Sequence, residues 1–130
     1  MTINFAVLGT GRIADNALAE ALNVANGATL WSVFSRDASR AQTFAARHRA
    51  KAPKPAFDDL DVLLADPELN AVFIATPDRL HADHAIAAAA AGKHVLTEKP
   101  MATSVEECQA MIEACNDAGV RLGVAYHMRW

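Results

Sequence analysis

Residues 3–14 read INFAVLGTGRIA, and this stretch decides the fold of the chain. The apolar run 3–8 is typical of a strand buried on both faces, and it ends directly in Gly9. Gly9 permits a tight turn, and Gly11 lets the backbone approach a pyrophosphate without a Cβ in the way. Ala14 is small enough for the following helix to pack on the strand. The spacing predicts a dinucleotide-binding turn, with a merely tight strand–helix turn as the alternative.

Strand and helix patterns alternate from this turn to the end of the chain. Six strands are predicted at 3–8, 29–35, 56–57, 71–75, 94–97 and 120–125. Five helical segments are predicted at 11–25, 37–48, 58–65, 80–91 and 104–118. Strands joined through helices pair in parallel with right-handed crossovers. The pattern therefore predicts an α/β fold, a doubly wound parallel sheet of the Rossmann type with strand order 3-2-1-4-5-6.

Composition excludes several classes of function. The 130 residues carry 12 Lys+Arg against 15 Asp+Glu, a net charge of −3, without a basic run. This charge does not favour a nucleic-acid surface. The chain also has only 5 Phe, 2 Trp and 1 Tyr, too few aromatic side chains for a base-stacking platform. No stretch is apolar enough to span a bilayer, and the amino terminus lacks the features of a signal peptide. We expect a soluble, cytoplasmic domain that binds neither nucleic acid nor membrane.

Cysteines and histidines do not form a recognisable metal site or disulfide. Cys108 and Cys115 lie seven residues apart in one predicted helix, about 10 Å along its axis, which is too far for a disulfide. His81 and His84 have an i,i+3 spacing, but no third ligand accompanies them. We therefore expect no metal, and we interpret His81 as a wall of a cofactor site or a capping residue.

Ligands of doubly wound sheets gather at the carboxyl ends of the strands. The first turn would seat phosphates on free N–H groups at the helix amino terminus. The tips of the other strands are 35–36, 76–81, 98–101 and 126–129. The cofactor-binding residues predicted at these tips are Gly9, Thr10, Gly11, Arg12, Ile13, Ser35, Arg36, Arg40, Thr76, Pro77, His81, Glu98 and Lys99.

The end of the second strand bears on the choice between NADP and NAD. NAD-preferring proteins usually place a carboxylate there against the ribose 2′-hydroxyl, whereas this chain has Ser35 and Arg36. A hydroxyl and a guanidinium suit a 2′-phosphate, and Arg40 lies one helical turn later. The alternative is that Asp37 takes the ribose, although it is better placed as a helix N-cap. The pattern favours NADP, with NAD as the alternative.

Glu98, Lys99 and Pro100 follow the fifth strand. A lysine at this position is placed to hydrogen-bond and protonate a substrate oxygen, with Glu98 orienting it or moderating its charge. We therefore assign Lys99 as the candidate catalytic residue. A solvated surface pair is the alternative.

Four stretches together resemble the amino-terminal domain of the glucose–fructose oxidoreductase and inositol dehydrogenase family: 9–14, 75–81, 91–102 and 123–129. The resemblance implies NAD(P)-dependent hydride transfer to or from a carbon bearing oxygen, on a sugar, cyclitol or related polyol. It also implies that Lys99 contacts the reacting hydroxyl.

The resemblance further implies a second domain that this chain lacks. We expect residues 1–125 to form the dinucleotide-binding domain and 126–130 to begin the connection to the missing one, which supplies further substrate contacts and an oligomer interface. The chain alone would then bind NADP without efficient turnover, while its parent would be an oxidoreductase. The alternatives are a non-catalytic NAD(P)-binding regulatory or sensor module and a free-standing cofactor-binding or CoA-binding domain.

Overall fold

The computed structural model describes residues 1–126. Its strands are β1 (Ile3–Leu8), β2 (Ala28–Phe34), β3 (Ala56–Phe57), β4 (Ala71–Ile74), β5 (His94–Glu98) and β6 (Leu122–Ala125). Its α-helices are α1 (Ala19–Val24), α2 (Ala38–Arg47), α3 (Leu60–Leu64), α4 (His81–Ala90) and α5 (Val105–Ala118). A π-helical stretch, Ala14–Leu18, leads into α1, and a 3-10 turn, Asp78–Leu80, leads into α4.

All strand pairs are parallel, and the sheet order is β3-β2-β1-β4-β5-β6. The predicted Rossmann order is therefore confirmed. Strand order reverses at β1, which has β2 on one side and β4 on the other. Because ligands of such sheets bind where the order reverses, the carboxyl ends of β1 and β4 define the place to look for a site.

The sheet separates two apolar clusters. Side chains alternate along β1, so that Ala6 and Leu8 belong to one cluster while Val7 belongs to the other. The first cluster takes four buried alanines of α4 and Met111 of α5. The second takes residues of α1 and α2. The alanines let α4 lie close to the sheet and to α5, which fixes the loops at their ends.

Local capping explains where the elements differ from the predicted bounds. Asp59 is the N-cap of α3, since its Oδ1 accepts from the N–H of Asp61 at 2.9 Å, so the helix begins later than predicted. The N–H of Val120 donates to the Cys115 carbonyl at 3.0 Å after a left-handed Gly119. Val120 therefore belongs to the turn that caps the end of α5, and β6 begins only at Leu122.

Within residues 1–126, no helix is long and apolar enough to cross a membrane. Tyr126 is exposed and follows β6 directly, whereas the rest of the predicted connection, 127–130, lies outside the described residues.

Candidate dinucleotide-binding cleft

A cleft of about 560 Å³ opens at the carboxyl ends of β1, β2 and β4. Its volume is in the range of about 300–1,000 Å³ usual for small-molecule sites. It brings together these predicted residues: Gly9, Thr10, Gly11, Arg12, Ile13, Ser35, Arg36, Arg40, Thr76 and Pro77. His81, Glu98 and Lys99 are not among the lining residues.

The first glycine of the turn is held between two strands. Gly9 has φ +102°, a conformation that favours glycine, and its N–H donates to the Phe34 carbonyl at 2.9 Å. A Cβ at this position would lie 2.7 Å from the Ala75 carbonyl oxygen. Both the backbone conformation and the neighbouring strand therefore require glycine here.

The second glycine has a different reason to be there. A Cβ added at Gly11 would meet no atom within 4 Å, so the space above it is open to the cleft. The first backbone hydrogen bond of the following helix runs from the Asp15 N–H to the Gly11 carbonyl at 3.0 Å. Within the described chain, the N–H groups of residues 11–14 have no backbone acceptor. Such a row of donors at a helix amino terminus suits a diphosphate.

The segment from the end of β2 into α2 contributes Arg36, Arg40 and the helix-capping carboxylate of Asp37 to the cleft wall. Asp37 is the N-cap of α2, and its Oδ1 accepts from the N–H groups of Ser39 at 2.9 Å and Arg40 at 3.2 Å. The Ser39 hydroxyl, the Arg40 N–H and the Arg40 charge hold the pKa of Asp37 below its usual range. The hydroxyl of Ser35 accepts from the Asp37 N–H at 3.2 Å, which leaves its own proton to donate.

A smaller depression of about 290 Å³ adjoins the cleft, with Thr10 and Arg40 lining both. Asp15 lies on its wall and accepts from His48 Nε2 at 2.7 Å and from Arg47 Nη1 at 3.0 Å. The hydrogen bond to His48, followed by those to Arg47, lowers the pKa of the Asp15 carboxyl. This cluster joins the helix after the phosphate turn to α2.

His84 lines the cleft, although the sequence analysis assigned it no role. Its Nδ1 lies 2.9 Å from the Thr76 hydroxyl, and its ring packs edge-on against Phe34 with centroids 5.9 Å apart. Burial lowers the pKa of His84, which therefore presents a neutral ring. The sequence signal for both residues was their position: Phe34 ends β2, and His84 lies one turn into α4.

His81 lies elsewhere than expected. Its side chain is only 1% exposed and does not reach the cleft wall. Its Nδ1 is 2.7 Å from the Pro100 carbonyl oxygen, and its Nε2 is 2.9 Å from the Thr76 carbonyl oxygen. It therefore joins the loop after β4 to the loop after β5, and it is not among the residues that line this cleft.

Lys99 lies just beyond the carboxyl end of β5, and its side chain is exposed. The Glu98 carboxylate accepts from the backbone N–H of Lys99 at 3.3 Å. Among residues 1–126, no carboxylate lies within 4 Å of the Lys99 ammonium. The Lys99–Pro100 peptide bond is cis. The ammonium is thus available at the strand edge that carries the cleft.

Comparison with known proteins assigns the chain to a family. A family model described as "Oxidoreductase family, NAD-binding Rossmann fold" matches residues 3–126. The chain belongs to this family. The resemblance inferred from four sequence stretches is confirmed, and residues 3–126 match the NAD-binding Rossmann domain of this oxidoreductase family.

Similar members of the family are named for NADP or bind NADH. The scyllo-inositol 2-dehydrogenase (NADP(+)) IolU of Bacillus subtilis is 42% identical over 120 residues, 92% of this chain and 35% of its own length. The D-xylose 1-dehydrogenase (NADP(+)) 2 of Haloferax volcanii is 37% identical over 97% of this chain and 38% of its own. The WlbA dehydrogenase of Bordetella pertussis, solved with NADH and UDP-GlcNAcA, superposes with a TM-score of 0.87 at 36% identity, covering 98% of this chain and 36% of its own.

The chain spans 35% to 38% of the length of these curated relatives. Residues 3–126 of this chain are the part that the family model matches.

Proposed function

We propose that this chain binds NADP(H) in the cleft and that the complete protein transfers a hydride between NADP(H) and a sugar, cyclitol or related polyol. The observation that carries the proposal is the row of N–H groups at residues 11–14 without a backbone acceptor, together with the open space at Gly11. The named activities of the scyllo-inositol and xylose dehydrogenases support the substrate class.

Two arginines, Arg36 just after β2 and Arg40 in the first turn of α2, support NADP over NAD. Arg36 and Arg40 line the cleft with one carboxylate, Asp37, so these three side chains carry a net positive charge. One oxygen of Asp37 is engaged by Ser39 and Arg40, which reduces its ability to repel an incoming phosphate. The Ser35 hydroxyl adds a donor.

Lys99 is the proposed catalytic residue. A bound nicotinamide supplies the chemistry of accepting or delivering the hydride. The Lys99 ammonium would hydrogen-bond the substrate oxygen, stabilise negative charge on it and donate or accept its proton. Because Lys99 is exposed in residues 1–126, we propose that parts of the complete protein outside these residues close over it, provide further substrate contacts and form any oligomer interface.

The test compares Lys99→Met with Lys54→Met in the complete protein. Lys54 is also exposed but lies in the segment before β3, away from the cleft. We expect Lys99→Met to keep its affinity for NADPH and to lose turnover of polyols by about 10²–10⁴-fold, the usual contribution of a proton-transfer group. Lys54→Met should keep both. Tight NADPH binding with no oxidation or reduction of any polyol by the unmodified protein would instead support a sensor module.

A further inference from the structure

The contacts of His81 are unusual for a buried histidine. Both ring nitrogens point at backbone carbonyl oxygens, Nδ1 at Pro100 (2.7 Å) and Nε2 at Thr76 (2.9 Å). A carbonyl oxygen only accepts, so each contact is a hydrogen bond only if that nitrogen carries a proton. A neutral imidazole has one N–H and would leave a lone pair facing an oxygen, inside a site where the side chain is 1% exposed.

We propose that His81 is a doubly protonated clamp and a positioning residue for Lys99. Its two N–H groups hold the Pro100 and Thr76 carbonyls together, and this fixes the backbone directly after Lys99 relative to the cleft wall. The consequence for catalysis rests on the proposed function of Lys99.

The groups that would stabilise a second proton on His81 are the Pro100 and Thr76 carbonyl oxygens. In the part of the chain that the structure describes, no carboxylate lies within 4 Å of it. Burial lowers the pKa of His84, on the same helix, while Asp83 raises it. The charged side chains on the neighbouring segments are Asp78, Arg79, Asp83, Glu98 and Lys99.

The contacts make a mechanical link between two sides of the site. On one side, His81 contacts the carbonyl oxygen of Thr76, and the Thr76 hydroxyl is hydrogen-bonded to His84, which lines the cleft. On the other side, His81 contacts the carbonyl oxygen of Pro100, the residue directly after Lys99. Loss of the clamp should therefore displace Lys99 without removing any group that lines the cleft.

Proton counting on the ring gives a test that needs no activity. His94 serves as an internal reference because its Nδ1 accepts from the Arg121 N–H at 3.1 Å, which requires at least one bare nitrogen. In long-range ¹⁵N–¹H spectra of the complete protein with labelled histidine, we expect two bonded protons on His81 at a pH where His94 shows one. A single bonded proton on both rings would overturn the clamp.

Kinetics test the positioning of Lys99. His81→Phe removes both donors, His81→Gln restores a donor to one carbonyl, and His94→Gln is the matched control at the opposite end of β5. We expect His81→Phe to lower kcat by on the order of 100-fold, as for a small misplacement of a reacting group, with NADPH affinity nearly unchanged. His81→Gln should recover part of the loss, and His94→Gln should show none.

A purely structural role would instead lower the midpoint of unfolding and leave kcat per folded molecule unchanged, which would overturn the proposal. If His81→Phe does not fold, His81→Gln decides, because it should speed amide hydrogen exchange at Lys99 and Met101 only if the clamp holds that loop. Absence of turnover in the unmodified protein would refute the proposed function, whereas the ring protons and the exchange rates would still decide the clamp.

Discussion

A Cβ at position 9 would lie 2.7 Å from the carbonyl oxygen of Ala75. The turn after β1 is therefore packed against the end of β4, the strand beside it where the sheet order reverses. The turn is followed by the N–H groups of residues 11–14, which lack a backbone acceptor, and residues 11–13 line the cleft. The close approach of two backbones, rather than a side chain, sets the position of the site.

Replacement of Gly9 by alanine should destabilise the protein through both strain and collision. Gly92 is the matched control, since it also has a positive φ, +74°, but a Cβ there would meet no atom within 4 Å. We expect Gly92→Ala to cost about 1–2 kcal/mol, the penalty of a left-handed residue, and Gly9→Ala to cost clearly more. Urea unfolding measures both, and equal losses would contradict the packing of the turn.

Removal of the Arg36 guanidinium should change the choice of cofactor. We expect Arg36→Ala to weaken NADPH by about tenfold to a hundredfold, the ~1.5–3 kcal/mol of a hydrogen bond to a charged group, and to leave NADH nearly unchanged. Arg121→Ala removes the same charge from an exposed position at the amino end of β6. Fluorescence titrations with both cofactors decide the matter, and an equal effect on NADH and NADPH would refute the assignment to the 2′-phosphate.

The ion pairs of Asp15 should stabilise the protein at neutral pH and lose that effect in acid. His48 and Arg47 lower the pKa of the Asp15 carboxyl in the folded state below its ordinary value of 3.8. The stability that this carboxylate contributes is therefore fully present above pH 3.8 and is lost as the pH falls through the pKa of the folded state. Asp15→Asn should therefore lower the thermal midpoint at neutral pH, and the difference should shrink below pH 3.8.

The control for that experiment is Asp58→Asn, whose carboxylate makes no ion pair with the described residues. Thermal unfolding followed by circular dichroism across this range measures both variants. A deficit for Asp15→Asn that stays constant down to the most acidic pH would exclude the ion-pair cluster as its cause.

Lys93 should stabilise the fold without contributing to the cleft. It is 9% exposed, and its Nζ donates to the carbonyls of Asp66 at 2.8 Å and Leu69 at 2.9 Å, at the amino end of β5. We expect Lys93→Met to cost about 1.5–3 kcal/mol of unfolding free energy with NADPH affinity unchanged. Chemical denaturation and cofactor titration test the two halves, and a large loss of affinity would show that this end of the sheet communicates with the site.

The sheet order and nearly all elements could be predicted because apolar periodicity and capping residues act locally. Asp37 caps α2 as its sequence position indicated. The bounds that moved were set by local hydrogen bonds whose choice of partner the pattern does not specify, such as that from Val120 back to Cys115.

The lining of the cleft was predictable at the ends of β1, β2 and β4 and at Arg40 of α2, but not on α4. Residues that follow β1, β2 and β4 lie beside the point where the strand order reverses, so the turn at Gly9 and the pair Ser35 and Arg36 were found. His81 and His84 lie three residues apart in the first turns of α4, yet His81 is buried away from the cleft and His84 lines it. This difference depends on the rotation of α4 about its axis, which is set by the packing of its alanines against the sheet.

Binding of NADPH to variants at Gly11 tests the central claim, that unpaired N–H groups at the first turn seat the diphosphate. Gly11→Asp suits a helix amino terminus, so the fold should be retained, but its carboxylate would occupy and repel the diphosphate position. Gly11→Asn has nearly the same shape without the charge. In calorimetric titration, NADPH affinity should decrease from the unmodified protein to Gly11→Asn and then to Gly11→Asp. Gly11→Asp should bind NADPH at least about tenfold more weakly than the unmodified protein, a difference of ~1.4 kcal/mol. Equal affinity for all three folded proteins would show that the diphosphate is bound elsewhere.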